Sequence, residues 1–228
     1  MREISSAEII QRIQSENPWW QGDHTISSVF GDMRRRAYFN LFLPLVKEQK
    51  MRRAVVLMGP RRVGKTVMVH HAIQALIDDG VPPRFIGYFS VDHPIYNGLS
   101  LEKLLEYYAQ SSGVDYKRDQ VYVFFDEIQY LRNWEVHLKS AIDTYPNLKL
   151  VASGSAAAAL RLKSQESGAG RFTDFLLPPL TFYEYIDLMN KTDMVKEPSE
   201  DHQRRFFSAN AIELFNNEFI NYLGIPAL

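Results

Sequence analysis

The chain has 228 residues, 46% hydrophobic and 23% charged, enough apolar material for one substantial core and too much for a disordered chain. Lysine and arginine (26) nearly balance aspartate and glutamate (27), leaving a formal net charge of -1, so no global charge draws the chain to nucleic acid or an acidic membrane. With no cysteine, a disulfide framework and a thiolate ligand or nucleophile are excluded.

Met1-Arg2-Glu3 opens no apolar secretory segment, and runs such as Val121–Phe125 are too short to span a bilayer as a helix. The expectation is a cytoplasmic protein with no membrane partner. Residues 1–50 read as helix, interruption, helix. Ser5 or Ser6 caps a short helix that aligns Ile9, Ile10 and Ile13, and Asn17-Pro18 ends it. A second helical pattern starts at Asp32 and carries Tyr38, Leu41, Phe42 and Leu45, with Pro44 marking a bend or break. The basic run Arg34-Arg35-Arg36 reads as a solvated face in preference to a contact with phosphate or a neighbouring subunit.

An α/β alternation follows. Strands are expected at 54–58, 85–91, 121–125 and 148–152, with a short fifth at 175–177 stopped by Pro178-Pro179. Helices are expected between them at 67–77, 101–109 and 135–145. That order is the pattern of crossover units on a mainly parallel sheet. Thr181 and Glu184 form a T-x-x-E capping box for a helix with Tyr185, Ile186 and Met189. Residues 191–201 read as a linker, and a last helix is expected over 203–222. The domain reading is therefore an N-terminal helical segment at 1–50, an α/β domain at 51–190, and a linker with a C-terminal helix at 191–228 that begins a further domain.

Gly59-Pro60-Arg61-Arg62-Val63-Gly64-Lys65-Thr66 matches G-x-x-x-x-G-K-[ST] at every fixed position. Gly59 and Gly64 permit a loop whose backbone N–H groups curl around a phosphate. Lys65 reaches the β- and γ-phosphates, and Thr66 offers a hydroxyl to Mg²⁺ where the next helix starts. Arg61 and Arg62, inside the loop, contact either phosphate or another surface. Five apolar residues then lead into Asp126-Glu127 at the C-terminal end of a strand, the edge where open α/β sheets bind ligands. Asp126 suits Mg²⁺ through its water shell, and Glu127 suits a general base for an attacking water.

After the fourth strand come Ser153-Gly154-Ser155. Ser155 is the preferred group to touch the γ-phosphate or orient the water, and Ser153 the alternative; either also suits a helix cap near Ala156. Arg171, after Gly168-Ala169-Gly170, reads equally as an arginine finger acting on a neighbouring subunit or as an exposed ion-paired arginine. His70 and His71 project in different directions and make no metal cluster. Gln129, Tyr130 and Trp134 read as core or packing groups.

These residues, with Val123–Gln129, Trp134, Leu138-Lys139 and Gly170-Arg171 followed by Leu180-Thr181-Phe182 and Glu184, resemble the bacterial and archaeal AAA-like ATPases that join an ATP-binding domain to a C-terminal nuclease-like domain. The resemblance covers roughly residues 50–187, with a weaker stretch at 219–226. It implies a five-stranded sheet of order 5-1-4-3-2, Mg²⁺-dependent ATP hydrolysis and a homo-oligomer. It also implies Ser155 as the sensor and favours Arg171 as the finger. Members of that group normally continue well past Leu228, so the chain is expected to be a fragment or a reduced member. Only Arg204 and Arg205 are nominal candidates for a second sensor arginine. The expected function is ATP binding and hydrolysis that drives a conformational or assembly change in a protein or DNA partner. The alternatives are a nucleotide-gated switch with negligible turnover and, less well matched, a small-molecule kinase.

Overall fold

The computed structural model describes residues 4–155 and 170–192. The expected helix at 203–222, the nominal arginines Arg204 and Arg205, and a helix starting near Ala156 lie outside these residues. The chain divides into two compact units, Met1–Pro178 and Pro179–Leu228.

The first unit is built on five strands: β1 (Ala54–Met58), β2 (Ile86–Ser90), β3 (Val121–Asp126), β4 (Leu148–Gly154) and β5 (Phe172–Leu176). All pairings are parallel and the order is β2-β3-β4-β1-β5, the order expected from the resemblance. Every residue of β1, β3 and β4 is buried, because a parallel sheet flanked by helices has no solvent face for alternation to serve. Val56, Leu57, Val123, Phe124, Leu150 and Val151 are fully buried, each contributing roughly 1.5–3 kcal/mol relative to exposure.

The helices of this unit are α1 (Ser6–Glu16), α2 (Ser28–Gly31), α3 (Phe39–Lys47), α4 (Lys65–Asp78), α5 (Leu101–Ser112) and α6 (Trp134–Thr144). The edge strand β2 shows how they divide. A Cβ on Gly87 would meet the Tyr108 ring of α5 at 2.8 Å, whereas the next residue, Tyr88, lies against His70 of α4, ring centroids 4.6 Å apart. Successive strand residues face opposite sides, so α4 and α5 cover opposite faces. Helices α2 and α3 pack with α4, and α1 and α6 with α5.

The exposed edge of β2 is closed by the turn after α1. Ser5 caps α1 in a full capping box with Glu8. Past the helix end, the Asn17 side chain donates to Tyr88 O at 2.9 Å and accepts from Tyr88 N at 2.7 Å, so one amide pairs with the strand as a neighbouring backbone would. Trp19 and Trp20 both donate their indole N–H to Ile86 O. This cover leaves no template for edge-to-edge association at Tyr88.

Three expectations for the N-terminal segment are corrected. The helix does not start at Asp32: α2 ends there, residues 34–36 are not helical, and α3 begins at Phe39. The Arg34-Arg35-Arg36 run is not a solvated face throughout, because Arg36 is buried while Arg34 and Arg35 are exposed. Pro44 does not break α3, which runs through it from Phe39 to Lys47; it sits on the exposed side and leaves the Asn40 carbonyl without its helical partner. In the second unit, α7 (Phe182–Leu188) starts at Thr181, whose side chain accepts from Glu184 N at 3.2 Å.

Candidate functional site

The segment from Gly59 to Thr66 leaves the C-terminal end of β1 and enters α4 at Lys65. Two glycines make that turn. At Gly59 a Cβ would stand 2.5 Å from Leu177 O, because Leu177 N donates to Met58 O and holds the chain after β5 against the root of the loop. Gly64 has φ +91° as N-cap of α4, a left-handed conformation in which a side chain is strained. Arg62 also takes positive φ, 65°. Lys65 is 4% exposed, and its Nζ donates to Gly59 O at 3.2 Å and to Pro60 O at 3.0 Å. Arg61 and Arg62 are exposed.

Arg36 is the residue that sequence reading missed here. Its guanidinium donates to Val63 O at 2.5 Å and to Pro178 O at 3.2 Å, tying the loop to the segment after β5. A planar peptide has its C=O and N–H on opposite sides, so turning Val63 O toward Arg36 turns Gly64 N–H away from it. One arginine of a basic run in an irregular segment carries no sequence pattern for this role.

Asp126, at the end of β3, is 2% exposed. One carboxylate oxygen, Oδ2, accepts from Thr66 Oγ1 at 2.7 Å and from the Tyr88 hydroxyl at 3.1 Å, while Oδ1 accepts from Ser153 Oγ. Burial and the Asp126 charge push the Tyr88 phenol far above its usual range, so it remains a donor. His70, one turn into α4, holds Thr66 O through Nδ1 at 2.9 Å and stacks on Phe30 at 3.8 Å. A carbonyl only accepts, so Nδ1 carries the proton; burial pushes the His70 pKa down and favours the neutral ring. His71 Nε2 bonds Phe30 O instead.

Glu127 follows with φ 57° and ψ 47°, left-handed geometry that is uncommon and strained for a side chain of this size. Its N–H donates to Ser153 Oγ at 3.3 Å, and its carboxylate accepts from the Gln129 side chain. The Gln129 carbonyl in turn accepts from Ser155 N at 3.2 Å. Gln129 therefore bridges the acidic pair to the end of β4, which corrects its reading as a packing group. Tyr130, 55% exposed, is not a core residue either, while Trp134 is fully buried. Of the two serines, Ser153 has its hydroxyl on Asp126, whereas Ser155 joins the cluster through its backbone.

Thr66, Asp126, Glu127, Ser153 and Ser155 are thus gathered at one edge of the sheet beside Lys65. Arg171 is not. It precedes β5, whose register pairs Phe172 with Ala54 and Leu176 with Met58, so Arg171 lies a full strand length from the loop. It ion-pairs there with Asp143 at 3.1 Å, both half-exposed. Within one chain it does not reach Lys65.

The cluster offers the hydroxyl of Thr66 and one carboxylate, Asp126, side by side. That all-oxygen, single-carboxylate set fits Mg²⁺, which keeps several waters and completes its octahedron with substrate phosphates. Among the described residues no group of three or more His, Asp or Glu side chains forms an all-protein metal cage.

A family model described as an AAA domain matches residues 51–186. An uncharacterized protein of Methanocaldococcus jannaschii is 26% identical over 191 residues, covering 79% of this chain and 39% of that protein. An uncharacterized protein of Haemophilus influenzae is 24% identical over 177 residues, with 76% and 39% covered. The chain thus spans about two fifths of the length of these curated relatives. Among solved structures, the S. cerevisiae Hsp104:casein complex in its extended conformation aligns with a TM-score of 0.50 at 15% identity, over 72% of this chain and 31% of that one; this likeness concerns the fold alone.

Proposed function

Because the chain belongs to the AAA domain family, matched from residue 51 to 186, we propose that it binds ATP and hydrolyses it with Mg²⁺ to change the arrangement of a partner. The observation that carries the reading is the convergence of Thr66, Ser153 and Tyr88 on Asp126 beside the loop that contains Lys65. The backbone N–H groups of Gly59 to Thr66, with Pro60, Arg61, Arg62 and Val63 forming the turn, cradle the phosphates. Lys65 neutralises charge on the β- and γ-phosphates. Glu127 takes the proton of the attacking water, and Ser155 or Ser153 orients that water from the end of β4. Mg²⁺, when held by Thr66 and Asp126, supplies further neutralisation of the triphosphate.

The reading extends to the assembly. Arg171, remote from the loop of its own chain, serves as a finger for a neighbouring copy in a homo-oligomer. The ATP-binding domain spans 51–190 behind an N-terminal helical segment at 1–50, and 191–228 begin a further domain, nuclease-like in the group the motifs resemble. The partner is a protein or DNA, and the compartment is the cytoplasm. Among the described residues no helix is long and apolar enough to cross a membrane.

The bond from Gln129 to Glu127 favours a second reading, a nucleotide-gated switch with negligible turnover, because it engages the carboxylate that must act as base. Phosphate release by wild type and by Glu127→Gln separates the two. The ATPase reading expects turnover to fall by about 100-fold or more with ATP binding retained. No turnover in either protein leaves the switch.

A further inference from the structure

The opposite, N-terminal edge of the sheet carries a half-open pocket of about 110 Å³. Its polar wall comes from Arg52 and Arg53 on the connection into β1, Gln120 at the entry to β3, and Asn147 and Lys149 at the entry to β4. Among the described residues no carboxylate side chain lines it.

Lys149 is the unusual member. It lies in β4, a central strand paired with β1 and β3, and is only 6% exposed. Its ammonium has three N–H donors, but among the described residues its one hydrogen-bond partner is Glu48 O at 2.5 Å. The Glu48 carboxylate is turned back on its own chain, accepting from Lys50 N at 2.7 Å and Met51 N at 3.4 Å. Burial accordingly pushes the Lys149 ammonium down to about 8, with Glu48 opposing that shift only in part. Arg52 and Arg53 are exposed, and among the described residues neither guanidinium has a carboxylate partner. Three cations therefore line a small space that no carboxylate of the described residues faces.

We infer that this pocket is a binding site for a small oxyanion of phosphate size, held by Lys149 from the sheet and by Arg52 and Arg53 from the rim. Charge-assisted bonds from a point-charged ammonium and forked guanidinium groups are the chemistry that recognises such an anion. The volume equals roughly three or four waters by their share of the liquid, which suits one tetrahedral oxyanion and not a nucleotide. The site is separate from the glycine loop and does not rest on the proposed ATPase activity.

Inorganic phosphate is the probe, titrated calorimetrically at constant ionic strength into the Lys65→Ala protein, in which the glycine loop has lost its lysine. Saturable binding is expected, weakened about tenfold or more by adding Lys149→Met and several-fold by adding Arg52→Ala with Arg53→Ala. The arginine pair is exposed and leaves the core intact, so it tests the site even where Lys149→Met folds poorly. Binding seen in wild type and absent from Lys65→Ala assigns the phosphate to the glycine loop and overturns the inference. So does an absence of saturable binding, or binding that survives both sets of rim and sheet substitutions.

Discussion

The two edges of the sheet each bury a lysine, and they treat it differently. Lys65, at the C-terminal edge, sits where a loop turns into a helix and lies across two carbonyls of that loop. A buried carboxylate with three hydroxyl donors stands beside it. Lys149, at the N-terminal edge, projects from the middle of the sheet, has one carbonyl, and shares its pocket with two arginines. Equal burial thus means different things. At one edge positive charge is matched by a prepared acidic centre and the positive end of α4; at the other it is uncompensated and waits on an outside anion.

Asp126→Asn is the strongest way to test whether the edges work independently. It removes the charge to which Thr66, Ser153 and Tyr88 donate, and ATP turnover should fall by about 100-fold or more. Phosphate binding at the Lys149 pocket should not change. A matching loss of both, with the fold intact by circular dichroism, would mean the two edges form one coupled system.

Arg36→Ala is expected to have a smaller effect confined to the C-terminal edge. Losing the tie to Val63 O and Pro178 O frees the peptide between Val63 and Gly64 at the end of the loop. ATP affinity, read by a fluorescent analogue, should weaken about tenfold. Because the bond is to a backbone carbonyl, Arg36→Lys should recover part of the loss, and an unchanged affinity in Arg36→Ala would show the loop to be self-supporting.

The smallest effect concerns stability at the other edge. Lys149 titrates near 8 in the folded chain against the ordinary 10.5, so between those values the unfolded chain holds more protons. Stability should therefore rise as pH goes from about 8 to about 10.5, with the penalty fully present below 8. The titratable groups around Lys149 are Glu48, Arg52, Arg53, Tyr145 and Tyr122, whose phenol is itself pushed up by burial; the quantity to measure is thus wild type minus Lys149→Met. Urea midpoints at pH 8 and pH 10 should converge by the higher pH, and a difference that stays constant removes the uncompensated ammonium from the account.

How much of this was legible depends on whether a feature is local. The strand at Ala54–Met58 and the helix after the glycine loop were readable because an apolar run, two glycines and a helical pattern follow in immediate succession, although α4 begins at Lys65 and not at the expected 67. The fifth strand was placed at 175–177, yet β5 spans Phe172–Leu176 with several half-exposed residues. Its edge position weakens the apolar signal on which the expectation depended. Gln129 was misread because its role comes from meeting Ser155 and Glu127 at once. Arg36 was misread because two of its neighbours in a basic run are exposed and it alone turns inward.

By itself the sequence determined the parallel α/β architecture, the place of the glycine loop and the acidic pair at the end of β3, since periodicity and motif spacing act over a few residues. The tertiary structure alone decided that Ser153, not Ser155, presents its hydroxyl to Asp126, and that Tyr88 and His70 complete that centre. It also decided that Arg36 braces the loop and that Lys149 reaches Glu48 O in a pocket shared with two arginines at the far edge. Each of those contacts joins residues distant in the chain through sheet register and helix packing, and a hydrogen bond of about 3 Å is set by where the backbone arrives.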